Sequence, residues 1–219
     1  MTKGEVGLQL FCKRNAIAFR RISESEERTP DYELTIGVIR VIAEVKDIEL
    51  NEEEKDVQEK MKIGQMRSWG SKLGSRVRDA INKANKQIKK LTLGKIPGIL
   101  VLFDTRPWPF NILYSYEIKV AMYGFETYDF SISKDFSPPT IVGRRFGEGQ
   151  KCTPSHNTST SAVAVLELDK QSGAYKIVIY HNKHSAAPLS PNCWENIDAV
   201  RQFVIKQNVT DEFGEWESI

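Results

Sequence analysis

The chain reads as an α/β protein with a mixed β-sheet flanked by helices, and three features carry that reading. Residues 75–91 form an amphipathic stripe in which Val77, Ala80, Ile81, Ala84, Ile88 and Leu91 recur at three- and four-residue spacing. Gly98–Asp104 (GILVLFD) is a continuous apolar run, as in a strand buried on both faces. Three shorter strand-like runs precede them, close enough for hairpins, whereas the strand, long helix and strand that follow suit a parallel crossover.

In chain order, residues 5–14 place Val6, Leu10 and Cys12 among polar neighbours and predict a short helix ending near Asn15. Strands are predicted at 17–22, 31–36 and 39–47. The acidic run 48–60 (Glu49, Glu52, Glu53, Glu54, Asp56, Glu59) predicts a solvated loop or helix face. Ser75 follows Gly74 as the expected N-cap of the amphipathic helix, whose outer face carries Arg76, Arg78, Lys83, Lys86, Lys89 and Lys90 against Asp79. Gly94 and Pro97 stop that helix before Gly98.

Beyond Asp104 a Pro- and aromatic-rich turn leads to a helix expected at about 112–123. A polar stretch at about 131–161 has no clear periodicity, and a structureless loop of that length points to function or mobility. Ala162–Leu168 and Tyr175–His181 predict a hairpin, and a last helix is expected at about 194–207. There is no internal repeat. The expected organisation is a core over 1–104 that holds the functional site and a 105–219 extension packing on it, as one continuous domain.

Composition narrows the function classes. Thirty-one Lys and Arg against 29 Asp and Glu give a net charge of +2, which argues against a wholly basic nucleic-acid coat and against an acidic tail. With 40% hydrophobic and 10% aromatic residues, 219 residues can bury a core without disulfides or structural metal. Cys12, Cys152 and Cys193 are odd in number and widely spaced, so they form no disulfide framework and suggest a reducing, cytoplasmic setting. The first ten residues are too polar for a secretory signal, and no run is long enough to span a membrane. Homo-oligomerisation is not readable from the sequence.

The chemically informative part is the hairpin of 31–36 and 39–47 around Gly37-Val38. Glycine at the first central position suits a two-residue type II′ turn, which requires positive φ there. Ile36 then lies opposite Ile39, and the constant index sum sets Asp31 opposite Glu44. Directly opposed side chains have Cβ atoms roughly 4.5–5.5 Å apart, so two carboxylates there destabilise a hairpin. Alternation puts Lys46 on the face of Glu44 and sends Val41, Ala43 and Val45 to the other, core-facing side. A divalent cation such as Mg²⁺ resolves the conflict, because hard cations are held by one or two carboxylates with waters and substrate phosphate. Lys46 neutralising the acids as a surface ion cluster is an equally available reading.

Thr29-Pro30-Asp31 followed by Glu44-Val45-Lys46 after an apolar approach (VIAEVK) resembles the signature of the PD-(D/E)XK phosphodiesterase superfamily of metal-dependent nucleases. The helix–strand–strand–strand–helix–strand order over about residues 5–104 is similar to that superfamily's restriction-endonuclease-like core. The resemblance implies that Asp31 and Glu44 bind Mg²⁺ or Mn²⁺, with the carbonyl of Val45 as a further ligand, and that Lys46 is the catalytic lysine. It also implies a glutamate in the first helix and a Gln or Lys in the helix after the motif, for which Glu5 and Gln87 are the candidates. Gln87 lies at the edge of the apolar stripe beside Ala80, and stripe edges are routinely polar. Glu5 also fits the first turn of a helix on dipole grounds alone.

The leading expectation is therefore a metal-dependent nuclease hydrolysing DNA, with nucleic acid as partner and no membrane. Arg76, Lys83 and Lys86 of the basic helix face, and Arg144 and Arg145 in the loop 134–151, are expected to hold the phosphate backbone. The alternative is a catalytically inactive nucleic-acid-binding or protein-interaction module that keeps the fold. A third, least supported, is a small-molecule hydrolase built around His181. Zinc is disfavoured, because His181, His184, His156, Cys152 and Cys193 match no closed Cys/His spacing.

Overall fold

A computed structural model of the chain describes residues 1–23, 29–70, 72–111, 113–134, 137–207 and 213–219. Helix α1 (Lys3–Arg14) starts at a capping box: the Glu5 N–H donates to Thr2 Oγ1 at 3.2 Å, and the Thr2 N–H donates to Glu5 Oε2 at 2.6 Å. Strands β1 (Ala18–Arg21), β2 (Tyr32–Ile36) and β3 (Ile39–Ile48) follow. The acidic run becomes helix α2 (Glu52–Lys62), opened by a second capping box between Asn51 and Glu54. Helix α3 (Ser75–Thr92) then leads to the buried strand β4 (Gly98–Asp104).

The main sheet runs β1-β2-β3-β4-β7-β8-β9-β10, with β7 (Ala162–Leu168), β8 (Tyr175–His181), β9 (Val200–Gln207) and β10 (Gly214–Ser218). It is mixed. The β1–β2 and β2–β3 pairs are antiparallel, whereas β3, β4 and β7 lie parallel. The β7–β8 hairpin is antiparallel, as its short connection demands, and β8–β9 is parallel. Because β4 pairs directly with β7, one sheet joins the first hundred residues to the rest of the chain.

Two apolar layers sandwich this sheet. Leu8 and Phe11 of α1 pack on Val41, Ala43 and Val45 of β3 and on Ile99 and Val101 of β4. On the opposite face, Val77, Ala80, Ile81, Ala84 and Ile88 of α3 pack on Leu100 and Leu102, together with Ile118 and Ala121 of helix α4 (Ser115–Tyr123). The predicted stripe of α3 is therefore the face that is buried, and the alternation of β3 divides its side chains between the layers as expected. At the end of β3, Asp47 fastens α1 to the sheet by accepting from Thr2 Oγ1 at 3.2 Å and from the N–H groups of Lys3 and Gly4 at 3.1 and 2.9 Å. A carboxylate there also suits the positive end of the helix.

Four expectations need correction. Ser75 is the first residue of α3 and not its cap; Gly74, at φ 72°, is the N-cap and supplies no side-chain acceptor. Helix α4 starts at Ser115, three residues later than expected. The 131–161 stretch is partly regular: β6 (Thr140–Phe146) pairs antiparallel with β5 (Glu126–Ser131) as a separate two-stranded ribbon. A register shift at Asp129/Phe130 and Gly143 in β6 interrupt the period that would have announced it. The last helix is absent. Residues Pro191–Trp194 make one 3₁₀ turn, and 200–207 form β9. Trp194, Ile197, Val200 and Val204 imitate a helical spacing, but β-branched and aromatic residues in Val200–Ile205 favour a strand once β8 and β10 offer ladders on both sides.

Gly98 shows how tightly β4 is seated. A Cβ added there would lie 2.2 Å from Ile88 Cγ2 and 2.5 Å from the Ser159 carbonyl oxygen. The Gly98 N–H also donates to Ser161 Oγ at 2.9 Å. Gly98→Ala is expected to lower unfolding stability by about 1–3 kcal/mol, the range for overpacked cores, in chemical denaturation.

Candidate functional site

Two short polypeptide features set the geometry of the site. The Gly37-Val38 turn forms as expected, with Gly37 at φ 60° and Ile36 paired with Ile39. The ladder then runs without a slip to Tyr32 opposite Ala43. Asp31 is the next residue beyond that rung, and its Oδ2 accepts the Val45 N–H at 2.7 Å. The Asp31 carbonyl in turn accepts the Ile22 N–H at 2.9 Å, so the residue is held from β1 and from β3.

Glu44 lies on the α3 side of β3 and is fully buried, flanked in the parallel ladder by Leu100 of β4. Its carboxylate forms an ion pair with the Lys46 ammonium on the same face. Among the described residues, neither Glu44 oxygen has a hydrogen-bond partner of sound geometry. Lys46 is about one-third exposed and marks the open side of the site. Burial pushes the Glu44 carboxyl up to about 7; Lys46 opposes that rise and the neighbouring Asp31 adds to it. Asp31 is also raised, by burial first, against the lowering effect of the Val45 N–H and of Lys46. The interaction between the two acids is one-sided: Asp31 raises the Glu44 carboxyl, whereas Glu44 favours the ionised form of Asp31.

Glu5 stands nearby without joining the pair. It raises the Asp31 carboxyl electrostatically, while its own oxygens serve the capping box and accept from Arg21 Nη2 at 3.5 Å. Gln87 does project toward the site. Its Nε2 donates to the Thr29 carbonyl at 3.0 Å, two residues before Asp31, so it tethers the segment that delivers the aspartate. Lys83, one helical turn earlier on the same ridge, is exposed above that side of the sheet. Lys86 is exposed as well, at a helical position opposite the buried stripe. No group of three or more His, Cys, Asp or Glu positioned to hold a metal occurs among the described residues, so any cation here would rest on Asp31, Glu44 and backbone or solvent oxygens.

Several expected site residues lie elsewhere. Arg76 donates to the Glu49 carbonyl and pairs with Glu54 at 2.7 Å, in a cluster where Glu54 also meets Arg106, and Arg106 binds Asp104. That cluster is not legible in the sequence, because Glu54 lies 22 residues from Arg76 and 52 from Arg106. Arg144 and Arg145 sit on β6 and not in a free loop. Arg144 pairs with Glu126 and with Glu215 at the start of β10, and Arg145 pairs with Asp129. From β3 to β10 is five strand steps, about 24 Å at roughly 4.8 Å each. The two arginines therefore do not flank the carboxylate pair. His181 is buried on β8, with Nε2 2.9 Å from Gln202 Oε1 and its pKa lowered by burial, an arrangement that locks the ring in place.

Comparison of the chain with protein-family models, with characterised proteins and with solved structures returned no match.

The buried Glu44 makes stability depend on pH. Below about 4.5 the carboxyl is protonated in both folded and unfolded chains and costs nothing. Between that value and about 7 the unfolded chain releases the proton while the folded chain retains it, so stability falls as pH rises. Above about 7 the full penalty is present, of order 3 kcal/mol. Glu44→Gln is accordingly expected to melt above the wild type at pH 8, with the difference shrinking toward pH 5. A scan of melting temperature against pH for both proteins tests this, and a pH-independent difference would contradict it.

Proposed function

We propose that the chain is a metal-dependent phosphodiesterase acting on nucleic acid, most readily DNA, with a restriction-endonuclease-like core formed by α1, β1–β3, α3 and β4. The observation that carries the reading is the Glu44 carboxylate: fully buried, ion-paired to the Lys46 ammonium but without a well-formed hydrogen bond among the described residues, and set beside a second carboxylate. A folded protein gains no stability from such a group, because a buried charge without hydrogen bonds is costly. A hard divalent cation fits this donor set of two carboxylates, with the Val45 carbonyl as a further oxygen. When bound, Mg²⁺ or Mn²⁺ would supply Lewis-acid polarisation of a phosphoryl oxygen.

The chain's own residues divide the remaining work. Asp31 and Glu44 would hold the cation. Lys46 places a positive charge at the open side of the site, where it would stabilise charge developing on the phosphate and orient the attacking water. Gln87 positions Asp31 through the Thr29 carbonyl, and Lys83 on the same ridge offers an exposed cation for the backbone. Support from sequence comes from the Asp31 and Glu44-Val45-Lys46 spacing and its resemblance to the PD-(D/E)XK signature. The element order agrees with that resemblance, apart from α2, which is inserted between β3 and α3.

The test is a cleavage assay with Mg²⁺ or Mn²⁺ on single-stranded, duplex and branched DNA and on RNA. Cutting is expected on at least one substrate, with Lys46→Ala reducing the rate by about a hundredfold or more, as for loss of one transition-state contact. The melting temperature is expected to rise with added Mg²⁺ at pH 8, and less so for Glu44→Gln. Stabilisation by Mg²⁺ without any cutting would mark an inert module. Absence of both, or full activity in Lys46→Ala, would overturn the reading.

A further inference from the structure

The parallel strands β4 and β7 end beside a cleft that the carboxylate site does not use. A cavity of about 490 Å³ opens there, between Lys3 at the start of α1, the ends of the two strands and the turn 105–114. Trp108 and Tyr114 stand at its edge, 81% and 67% exposed. The turn that carries Trp108 is nevertheless fixed on both sides. Ahead of it, Thr105 donates through its N–H and its hydroxyl to the Ile48 carbonyl, each at 3.0 Å. The buried Arg106 guanidinium binds Asp104 at 2.9 and 2.8 Å and Glu54 at 3.2 Å. Behind it, the Phe110 N–H donates to the Pro107 carbonyl at 2.8 Å, and the buried Phe110 ring packs on Trp69 with centroids 4.9 Å apart. A lone exposed apolar side chain needs no explanation. A rigid turn that offers an indole face at the mouth of a cavity is a stacking platform already in its binding geometry.

Charge identifies what the platform takes. The cavity is lined by Lys3, Arg106 and Lys170 against Asp104 and Glu167. Both acids are engaged, Asp104 by Arg106 at 2.8 Å and Glu167 by Arg201 at 3.2 Å. The ammonium groups of Lys3 and Lys170 have no acidic partner among the described residues. A neutral or cationic ligand leaves those two charges unanswered, and a small inorganic anion leaves the indole unused. A planar ring joined to a phosphate uses both, and the volume lies within the roughly 300–1,000 Å³ of ligand pockets. Asn111 adds an amide that can donate to and accept from a base edge. The cleft is also close to the carboxylates: Lys46 pairs with Leu102, so Asp104 lies one strand across and two residues on, about 8 Å away at spacings of roughly 4.8 and 3.3 Å.

We propose that this cavity binds an unpaired nucleotide, with its base stacked on Trp108 and its phosphate held by Lys3 and Lys170. One unit of a single strand and a free nucleoside monophosphate present the same chemistry. A base inside a duplex has both faces covered by its neighbours, so a duplex is excluded. Binding stands apart from cleavage, and only the further statement that the substrate strand is unpaired rests on the nuclease reading.

Anisotropy of a short dye-labelled single strand of DNA, titrated with the full chain in EDTA, reads binding with metal-dependent cutting switched off. The wild type is expected to bind the strand at least tenfold more tightly than the same sequence as a duplex. Trp108→Ala is expected to weaken strand binding about tenfold, within the range for loss of one base stack, and Trp108→Phe to recover most of it. Lys3→Ala/Lys170→Ala is expected to flatten the slope of log affinity against log salt by about 1.4, for two phosphate contacts at about 0.7 each. Calorimetry with thymidine monophosphate, beside thymidine and inorganic phosphate, assigns the source. Binding of the monophosphate marks a free nucleotide as a ligand, whereas binding of the strand alone marks a strand site. Failure of both to bind, equal affinity for strand and duplex, or unchanged affinity in Trp108→Ala would overturn the proposal. Trp108-dependent binding in EDTA without cutting in Mg²⁺ would leave it standing and sink the nuclease reading alone.

Discussion

The register of β2 against β3 is the constraint on which the site depends. Side chains on a strand alternate faces, so a slip of one residue would carry Glu44 and Lys46 to the α1 side and drive Val41, Ala43 and Val45 toward α3. Three features fix the register together. The Gly37-Val38 turn sets the first rung at Ile36–Ile39, the apolar alternation of β3 matches two different helical layers, and Asp31 closes the far end by accepting the Val45 N–H. Parallel pairing with β4 then locks β3 from its other edge, and Gly98 leaves no room for adjustment because Ile88 and the Ser159 carbonyl crowd it. A carboxylate at position 44 cannot escape to water without undoing several of these contacts. That confinement raises its pKa and leaves it dependent on whatever positive charge can reach it.

Burial also determines how the neighbouring residues are used. Lys46 answers Glu44 with charge but not with a well-formed hydrogen bond. Asp31 is better satisfied, through the Val45 N–H, yet it too is shifted toward the neutral form. The pair therefore stores an electrostatic conflict that costs stability at neutral pH and is relieved by a proton or a cation. Proteins keep such conflicts where function requires them, whereas a purely structural position is served better by an apolar residue. Glu54 makes the contrast. It is just as buried, but Asn51, Arg76 and Arg106 satisfy it completely, so it reads as part of the scaffold.

Much of this arrangement was legible in the sequence, for reasons that can be stated residue by residue. The α3 stripe, the β4 run and the β2–β3 hairpin are local patterns, and the opposition of Asp31 and Glu44 follows from the turn by counting. What stayed hidden depended on partners far along the chain. Strand β9 looked helical because Trp194, Ile197, Val200 and Val204 fall at helical spacing, and only the ladders of β8 and β10 make it a strand. Arg144 and Arg145 looked like free cations because Glu126, Asp129 and Glu215, which neutralise them, lie 15 or more residues away in sequence. Glu5 and Gln87 were visible as polar residues at suitable positions, but the cap that occupies one and the Thr29 tether made by the other arise only in three dimensions.

The near-neutral net charge of +2 acquires a different meaning once these positions are known. Residues 24–59 hold thirteen acids against four bases, so the remainder of the chain carries a clear positive excess. Pairing consumes part of that excess: Arg76 and Arg106 serve Glu54, and Arg144 and Arg145 serve the ribbon. The exposed cations left over α3 include Lys83, on the ridge that Gln87 shares, beside the acidic segment. A phosphate chain drawn to that ridge would be repelled by Asp31 and Glu44 unless a cation lay between them. In the proposed nuclease, the same charge pattern that makes the carboxylate pair unfavourable in isolation would couple backbone binding to metal binding and would draw nucleic acid to the β2–β3–α3 end of the molecule.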